Sequence, residues 1–244
     1  MTCEDYSPVL VDLRKATQKE IKGAYRTTAQ VKHSLHTQRS YGTMKKTGYV
    51  CQFKITLLEV SPRVWRRVQV PDEYSFWDLH VAIQDSMGWC DYHLHKFRFQ
   101  LQDEIVKIGI PDDTDEDDNI EAGWNVKLVE YFPEPGVRSL YEYDFGDCWQ
   151  HEVLLEKVLR READVKYPRC IAGKNACPPE DCGGPGGYAD LRRILRNPKH
   201  EEYQQMMEWM SSMVKLGGKM PFDENNPGAV RFDNPRSRLR KAMR

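Results

Sequence analysis

Asp144, Asp147 and His151 fall within the stretch Tyr141-Glu-Tyr-Asp-Phe-Gly-Asp-Cys-Trp-Gln-His151. Carboxylates beside an imidazole can hold a divalent metal, or orient the ring as a general base. The same residues also have a structural use. The aspartates can cap backbone N–H groups of a bend at Gly146, leaving His151 as a half-buried, hydrogen-bonded histidine. A second unusual segment runs from Cys170 to Tyr188 and includes Cys170, Cys177 and Cys182. Three thiols and one imidazole make a tetrahedral Cys₃His zinc site, with His151, His93 or His95 as the fourth ligand. The spacing lacks the paired Cys-x₂-Cys of a zinc ribbon, so the alternative is a rigid Pro/Gly loop with small buried thiols. In that loop Asp181 caps the turn into the next helix.

Other chemistries find less support. Gly183, Gly184, Gly186 and Gly187 precede a helix, but the Lys-Ser/Thr ending of a phosphate loop is missing. There is no Gly-x-Ser-x-Gly elbow and no His-Glu-x-x-His pair. Asp113, Asp115 and Asp117 imitate the start of a calcium loop. Asp118, however, stands where the turn needs glycine, and Trp124 where the closing glutamate belongs.

These segments need a scaffold, and hydrophobic periodicity supplies one. Tyr49–Val60 and Val64–Val70 read as strands. Ser75 opens a helix with Phe76, Leu79, Ile83 and Met87 on its buried face, and Gly88 stops it. His93–Leu101 alternates, with His93, His95, Phe97 and Phe99 facing one way and Lys96 and Arg98 the other. Ile105–Ile110, Trp124–Phe132, Leu140–Phe145 and Trp149–Leu159 follow as strands, the last with Trp149, His151, Val153 and Leu155 on one face. After Tyr188 the pattern is helical, ending in a Met-rich stripe from Tyr203 to Met213. The expected fold is α+β: a mostly antiparallel sheet with a strand-strand-helix-strand start and C-terminal helices packed on it.

Charge divides the chain further. The net charge is −1, yet residues 1–48 hold nine Lys/Arg against four Asp/Glu, and 111–121 hold seven acids and no base. Residues 231–244 hold six Lys/Arg against Asp233. The expected organisation is a basic extension at 1–47, an α+β domain at 48–215 with its Cys/Pro/Gly loop at 168–187, and a basic tail at 216–244. With no apolar run long enough for a membrane helix and no export signal, the protein is expected in the cytoplasm, away from membranes.

The chain resembles the plasmid pRiA4b ORF-3-like family, some of whose members carry a transposon passenger "TnpR" label. The resemblance rests on four stretches. They are Gly88-Trp89 with His93-Leu-His95-x-Phe97; Tyr141 to His151; Tyr167-Pro-x-Cys170-x-x-Gly173; and Cys177-Pro-Pro-Glu-Asp-Cys-Gly-Gly184 with Gly187-Tyr188. It implies an α+β fold, a mobile-element origin, and a shared site of His93, His95, Asp144, Asp147, His151, Glu180 and Asp181. Trp149 joins them on the candidate surface. Some relatives lack the 177 and 182 cysteines, which argues against an obligatory zinc site there.

These readings converge on an accessory protein acting by binding. Its partner is nucleic acid, met through the basic termini, or a protein of the same mobile element. The alternative is a metal-dependent hydrolase or nuclease using Asp144, Asp147 and His151. A structural zinc at His151, Cys170, Cys177 and Cys182 is a third expectation.

Overall fold

The computed structural model describes residues 48–101, 104–111, 119–215 and 222–243. The basic extension, most of the acidic run and Gly217-Gly218, with the expectations placed on them, lie outside the described residues.

Strands β1 (Tyr49–Leu57) and β2 (Trp65–Pro71) pair antiparallel, as the β-branched and aromatic content predicts. Helix α1 (Phe76–Met87) then crosses the sheet. Ser75 Oγ accepts from Asp78 N at 3.2 Å and Asp78 Oδ2 accepts from Ser75 N at 2.8 Å, so the expected capping box is formed. Gly88, at φ +92°, closes the helix. Strands β3 (His95–Leu101), β4 (Glu104–Gly109), β5 (Ile120–Ala122), β6 (Arg138–Tyr143), β7 (Trp149–Arg160) and β8 (Arg169–Lys174) complete one sheet in the order β5-β4-β3-β6-β7-β1-β2-β8. Every pairing is antiparallel except β4 with β5.

Alternation along the strands sorts residues between two faces. Phe53, Ile55, Val68, Phe97, Tyr141, Trp149, Val153 and Leu155 join Phe76, Leu79 and Ile83 of α1 in one buried core. The other face is polar and tied across strands. Glu156 accepts from Arg67 Nε at 2.6 Å and from Gln52 at 2.9 Å; Gln52 accepts from Gln69 at 2.9 Å, and Gln69 from Arg169 at 2.7 Å. These bonds span β7, β1, β2 and β8 without a break.

The mostly antiparallel α+β class is as expected, and three local expectations need correction. Trp124–Phe132 is not a strand. It contains a single turn of helix, α2 (Leu128–Tyr131), because Glu130 reaches back to Lys127 N at 2.9 Å and Phe132 turns in against Phe53 and Phe76. The Cys/Pro/Gly loop begins as strand β8, since Cys170 turns inward beside Val68. Two helices follow, α3 (Gly184–Leu195) and α4 (Tyr203–Lys215).

The third correction concerns the tail, of which Phe222–Met243 is folded onto the domain. Phe222 lies over the guanidinium of buried Arg66, at 3.7 Å from the ring centroid. Helix α5 (Pro235–Ala242) then docks on α1. Trp77 Nε1 donates to Pro235 O at 3.0 Å, and Arg238 Nη2 donates to Asp85 Oδ1 at 2.8 Å. Arg238 also pairs with Asp91 and Asp233. Among the described residues, no helix is long and apolar enough to cross a membrane.

Candidate functional site

His95 and Tyr143 are register partners at one end of the β3–β6 ladder. The residues just beyond that end, His93 on one strand and Asp144 on the next, are therefore brought together by strand pairing. Asp144 N donates to Leu94 O at 2.9 Å and fixes the two turns side by side. Asp144 itself sits at φ +57°, a left-handed conformation that aspartate tolerates better than most residues. Its Oδ1 accepts from Gly146 N at 3.0 Å and Asp147 N at 3.3 Å, so half of the carboxylate holds the bend as a cap.

The Cys/Pro/Gly loop is seated against this bend. Gly183 N donates to Asp147 Oδ2 at 3.2 Å. A Cβ on Gly184, which has φ +66°, would lie 2.2 Å from the carbonyl oxygen of Asp147. A Cβ on Gly187 would lie 1.9 Å from that of Cys182. Only glycine permits either approach.

Further along, Trp89 Nε1 donates to Pro178 O at 2.9 Å. Buried Glu180 accepts from Cys90 N at 2.7 Å and from the Tyr143 hydroxyl at 2.5 Å. That hydroxyl also accepts from Tyr92 N at 3.1 Å. Burial, with Glu180 beside it, raises the Tyr143 pKa, so the phenol stays protonated and donates to the glutamate. The loop is thus welded to the Asp144 bend on one side and to the α1–β3 turn on the other.

The product is a cluster of His93, Asp144 and Asp181. His93 Nε2 lies 3.0 Å from Asp181 Oδ1 and 3.6 Å from Asp144 Oδ2. One ligand atom from each residue falls within 4.8 Å of the other two. The side chains are 30%, 10% and 53% exposed for His93, Asp144 and Asp181, which places the cluster at the rim of the fold, within reach of solvent. Tyr92, 71% exposed, and Leu94 flank it.

The remaining candidates serve elsewhere. Asp147 caps the loop and Glu180 anchors it, as described. Trp149 and His151 point into the core, where the His151 ring lies 5.3 Å from both Trp89 and Tyr141. Burial drives the His151 pKa down to about 3, so the ring is neutral. His95 is buried too, its ring stacked on His80 at 3.4 Å, and burial again favours the neutral form.

Asp144, Asp147 and His151 are therefore not assembled as a trio. Nor are His151, Cys170, Cys177 and Cys182: among the described residues only His93, Asp144 and Asp181 reach ligand spacing. Cys170, Cys177 and Cys182 are free thiols. Burial pushes Cys170 up to about 11, against the pull of Arg66, and Cys182 up to about 12. The physical reason for both corrections is strand alternation. It sends His151 and Cys170 inward, while the aspartates stay at the sheet end.

Sequence reasoning missed the polar array behind the corner. His80 Nε2 meets Asp91 Oδ1 at 2.8 Å, and its Nδ1 meets the Tyr141 hydroxyl at 2.8 Å. Gln84 donates to the same hydroxyl at 2.9 Å. The signal was present, for His80 and Gln84 share the inner face of α1 with Phe76 and Ile83 at three- and four-residue intervals.

Comparison with known proteins supports the architecture. A family model described as "Plasmid pRiA4b ORF-3-like protein" matches residues 49–227. A curated relative, "Uncharacterized protein y4hQ" of Sinorhizobium fredii (strain NBRC 101917 / NGR234), is 37% identical over 164 residues, covering 67% of this chain and 81% of its own. The crystal structure of MM3350, a protein of unknown function from Methanosarcina mazei Go1, is 38% identical with a TM-score of 0.64. The match covers 77% of this chain and 100% of that one.

Proposed function

The chain belongs to the plasmid pRiA4b ORF-3-like family, and from that premise we propose that it is a cytoplasmic accessory protein of a plasmid or other mobile element, acting by binding a partner. Its working surface on this reading is the corner where the Asp144 bend meets the 170–188 loop. One observation carries the reading. Two segments remote in sequence are locked by the side-chain-free contact of Gly184 with Asp147, while Gly187 folds the loop tightly against its own Cys182, and the result is a fixed polar rim flanked by exposed Tyr92 and Leu94. Such rigidity suits a surface that must keep its shape for a partner.

The rim carries Asp144, Asp147 and Asp181, so its charge favours a protein segment bearing Lys or Arg over a phosphate backbone. The nucleic-acid version relies on the basic ends, and Arg238 of the C-terminal end is already paired with Asp85, Asp91 and Asp233. Co-purification in a host carrying the element tests the reading. Tagged wild-type protein should retain a partner that a Tyr92→Ala/Leu94→Ser variant loses. An unchanged set would remove this surface from consideration, and retardation of DNA or RNA at low salt would restore the nucleic-acid version.

Metal-assisted hydrolysis remains the second reading. The observation that favours it is the His93, Asp144 and Asp181 cluster, in place of the expected Asp144, Asp147 and His151.

A further inference from the structure

We propose that His93, Asp144 and Asp181 form a binding site for one first-row divalent transition-metal ion, with His93 Nε2, Asp144 Oδ2 and Asp181 Oδ1 as its protein ligands.

Three atoms of metal-ligating type meet here: His93 Nε2, Asp144 Oδ2 and Asp181 Oδ1. His93 Nε2 is buried and makes no hydrogen bond, although a carboxylate oxygen lies 3.0 Å away and another 3.6 Å away. An N–H on that nitrogen would be expected to aim at one of the two carboxylates. Asp144 has its other oxygen committed to Gly146 N and Asp147 N, which leaves Oδ2 facing the imidazole. With Nε2 unprotonated, an imidazole nitrogen and two carboxylate oxygens stand within 4.8 Å of one another, and a cation between them would satisfy all three.

The spacing fits. Metal–ligand bonds of roughly 2.0–2.2 Å put neighbouring ligand atoms roughly 3–3.6 Å apart in tetrahedral or octahedral geometry. Two of the three edges, at 3.0 Å and 3.6 Å, already match, and the third is within 4.8 Å. Asp181, at 53% exposure, has room to close it.

Ligand chemistry selects the ion. One imidazole nitrogen with two carboxylates suits Zn²⁺, Mn²⁺, Co²⁺ or Fe²⁺ better than Ca²⁺ or Mg²⁺, which favour all-oxygen shells. Two aspartates balance the charge of a divalent ion. Three protein ligands at a solvent-facing rim leave positions for water or for a donor group on a partner. The surroundings hold the ligands in place: the His93 ring stands edge-on to Tyr143 at 5.8 Å, and Tyr143 is itself bonded to Glu180.

The test is titration of the full chain with Co²⁺, followed by absorption and calorimetry, with Mn²⁺ as a second probe. Wild-type protein should take up one Co²⁺ per chain with weak d–d bands and no thiolate-to-cobalt charge transfer. Mn²⁺ should raise its melting temperature. Asp181→Asn changes an exposed side chain; it should weaken binding by more than the roughly 10- to 100-fold typical of losing an outer-shell partner, as should His93→Gln. His200→Gln, at a half-buried imidazole beside Glu202 and away from the cluster, should bind as wild type does. No uptake of either ion, equal affinity in Asp181→Asn and His93→Gln, or a thiolate charge-transfer band would each overturn the assignment.

Discussion

Gly184 meets the backbone of Asp147 so closely that a methyl group on its Cα would stand 2.2 Å from the Asp147 carbonyl oxygen. This contact makes one rigid corner of two segments that the chain keeps well apart.

Gly184→Ala should therefore unseat the loop as well as strain a left-handed residue at φ +66°. The expected loss is about 2 kcal/mol or more in urea unfolding, beyond the cost of the conformation alone. Gly186→Ala, which meets nothing within 4 Å, should change stability little.

Tyr143→Phe removes the hydroxyl that serves Glu180 and Tyr92 N together. The buried carboxylate then keeps Cys90 N but loses its second donor, and the Tyr92 N–H loses its acceptor. A loss of about 1–3 kcal/mol is expected by chemical denaturation. Adding Glu180→Gln to Tyr143→Phe should recover part of it, because an amide is cheaper to bury than a charge.

His151 makes stability depend on pH in a defined direction. Its pKa is about 3 when folded, against the ordinary 6.5. Above the ordinary value both states are neutral there and the residue contributes no slope. Below it the unfolded chain takes up a proton that the folded chain refuses. Stability therefore falls by up to about 1.4 kcal/mol per pH unit as pH drops toward the folded pKa, then levels off. Urea midpoints measured through the mildly acidic range should show this slope, and His151→Met should reduce it by about one proton.

Arg238→Ala should destabilise the domain by about 2–3 kcal/mol, since it takes the guanidinium from Asp85, whose side chain is fully buried, and from Asp91. Thermal melting of this variant beside Arg240→Ala separates a docked helix from a loose one. Arg240 donates to Ser237 of its own helix at 3.3 Å, and its loss should cost well under about 1 kcal/mol.

Much of the fold was legible because alternation and helical spacing report burial directly. The stripe through Phe76, Leu79, Ile83 and Met87, and the inward set Trp149, His151, Val153 and Leu155, stand where their periods place them. Part of the site was legible as well. His93, Asp144 and Asp181 were among the expected residues, but so were His95 and His151, which the same alternation buries. Nothing local distinguishes an imidazole at a strand's mouth from one two residues further in; only the pairing of His95 with Tyr143 marks where the ladder ends. The docking of Arg238 was illegible for a related reason. Its partners on α1 and the following turn are remote in sequence, and a run of arginines looks the same whether solvated or paired.

The separation of Asp85 from Arg238 is 153 residues. During synthesis, α1 leaves the ribosome long before the arginine that completes its charge balance. The β1–β7 pairing likewise joins residues about a hundred positions apart, as in Gln52 with Lys157. A nascent chain stalled ahead of Arg238 would present chaperones and proteases with an acidic helix lacking its clasp.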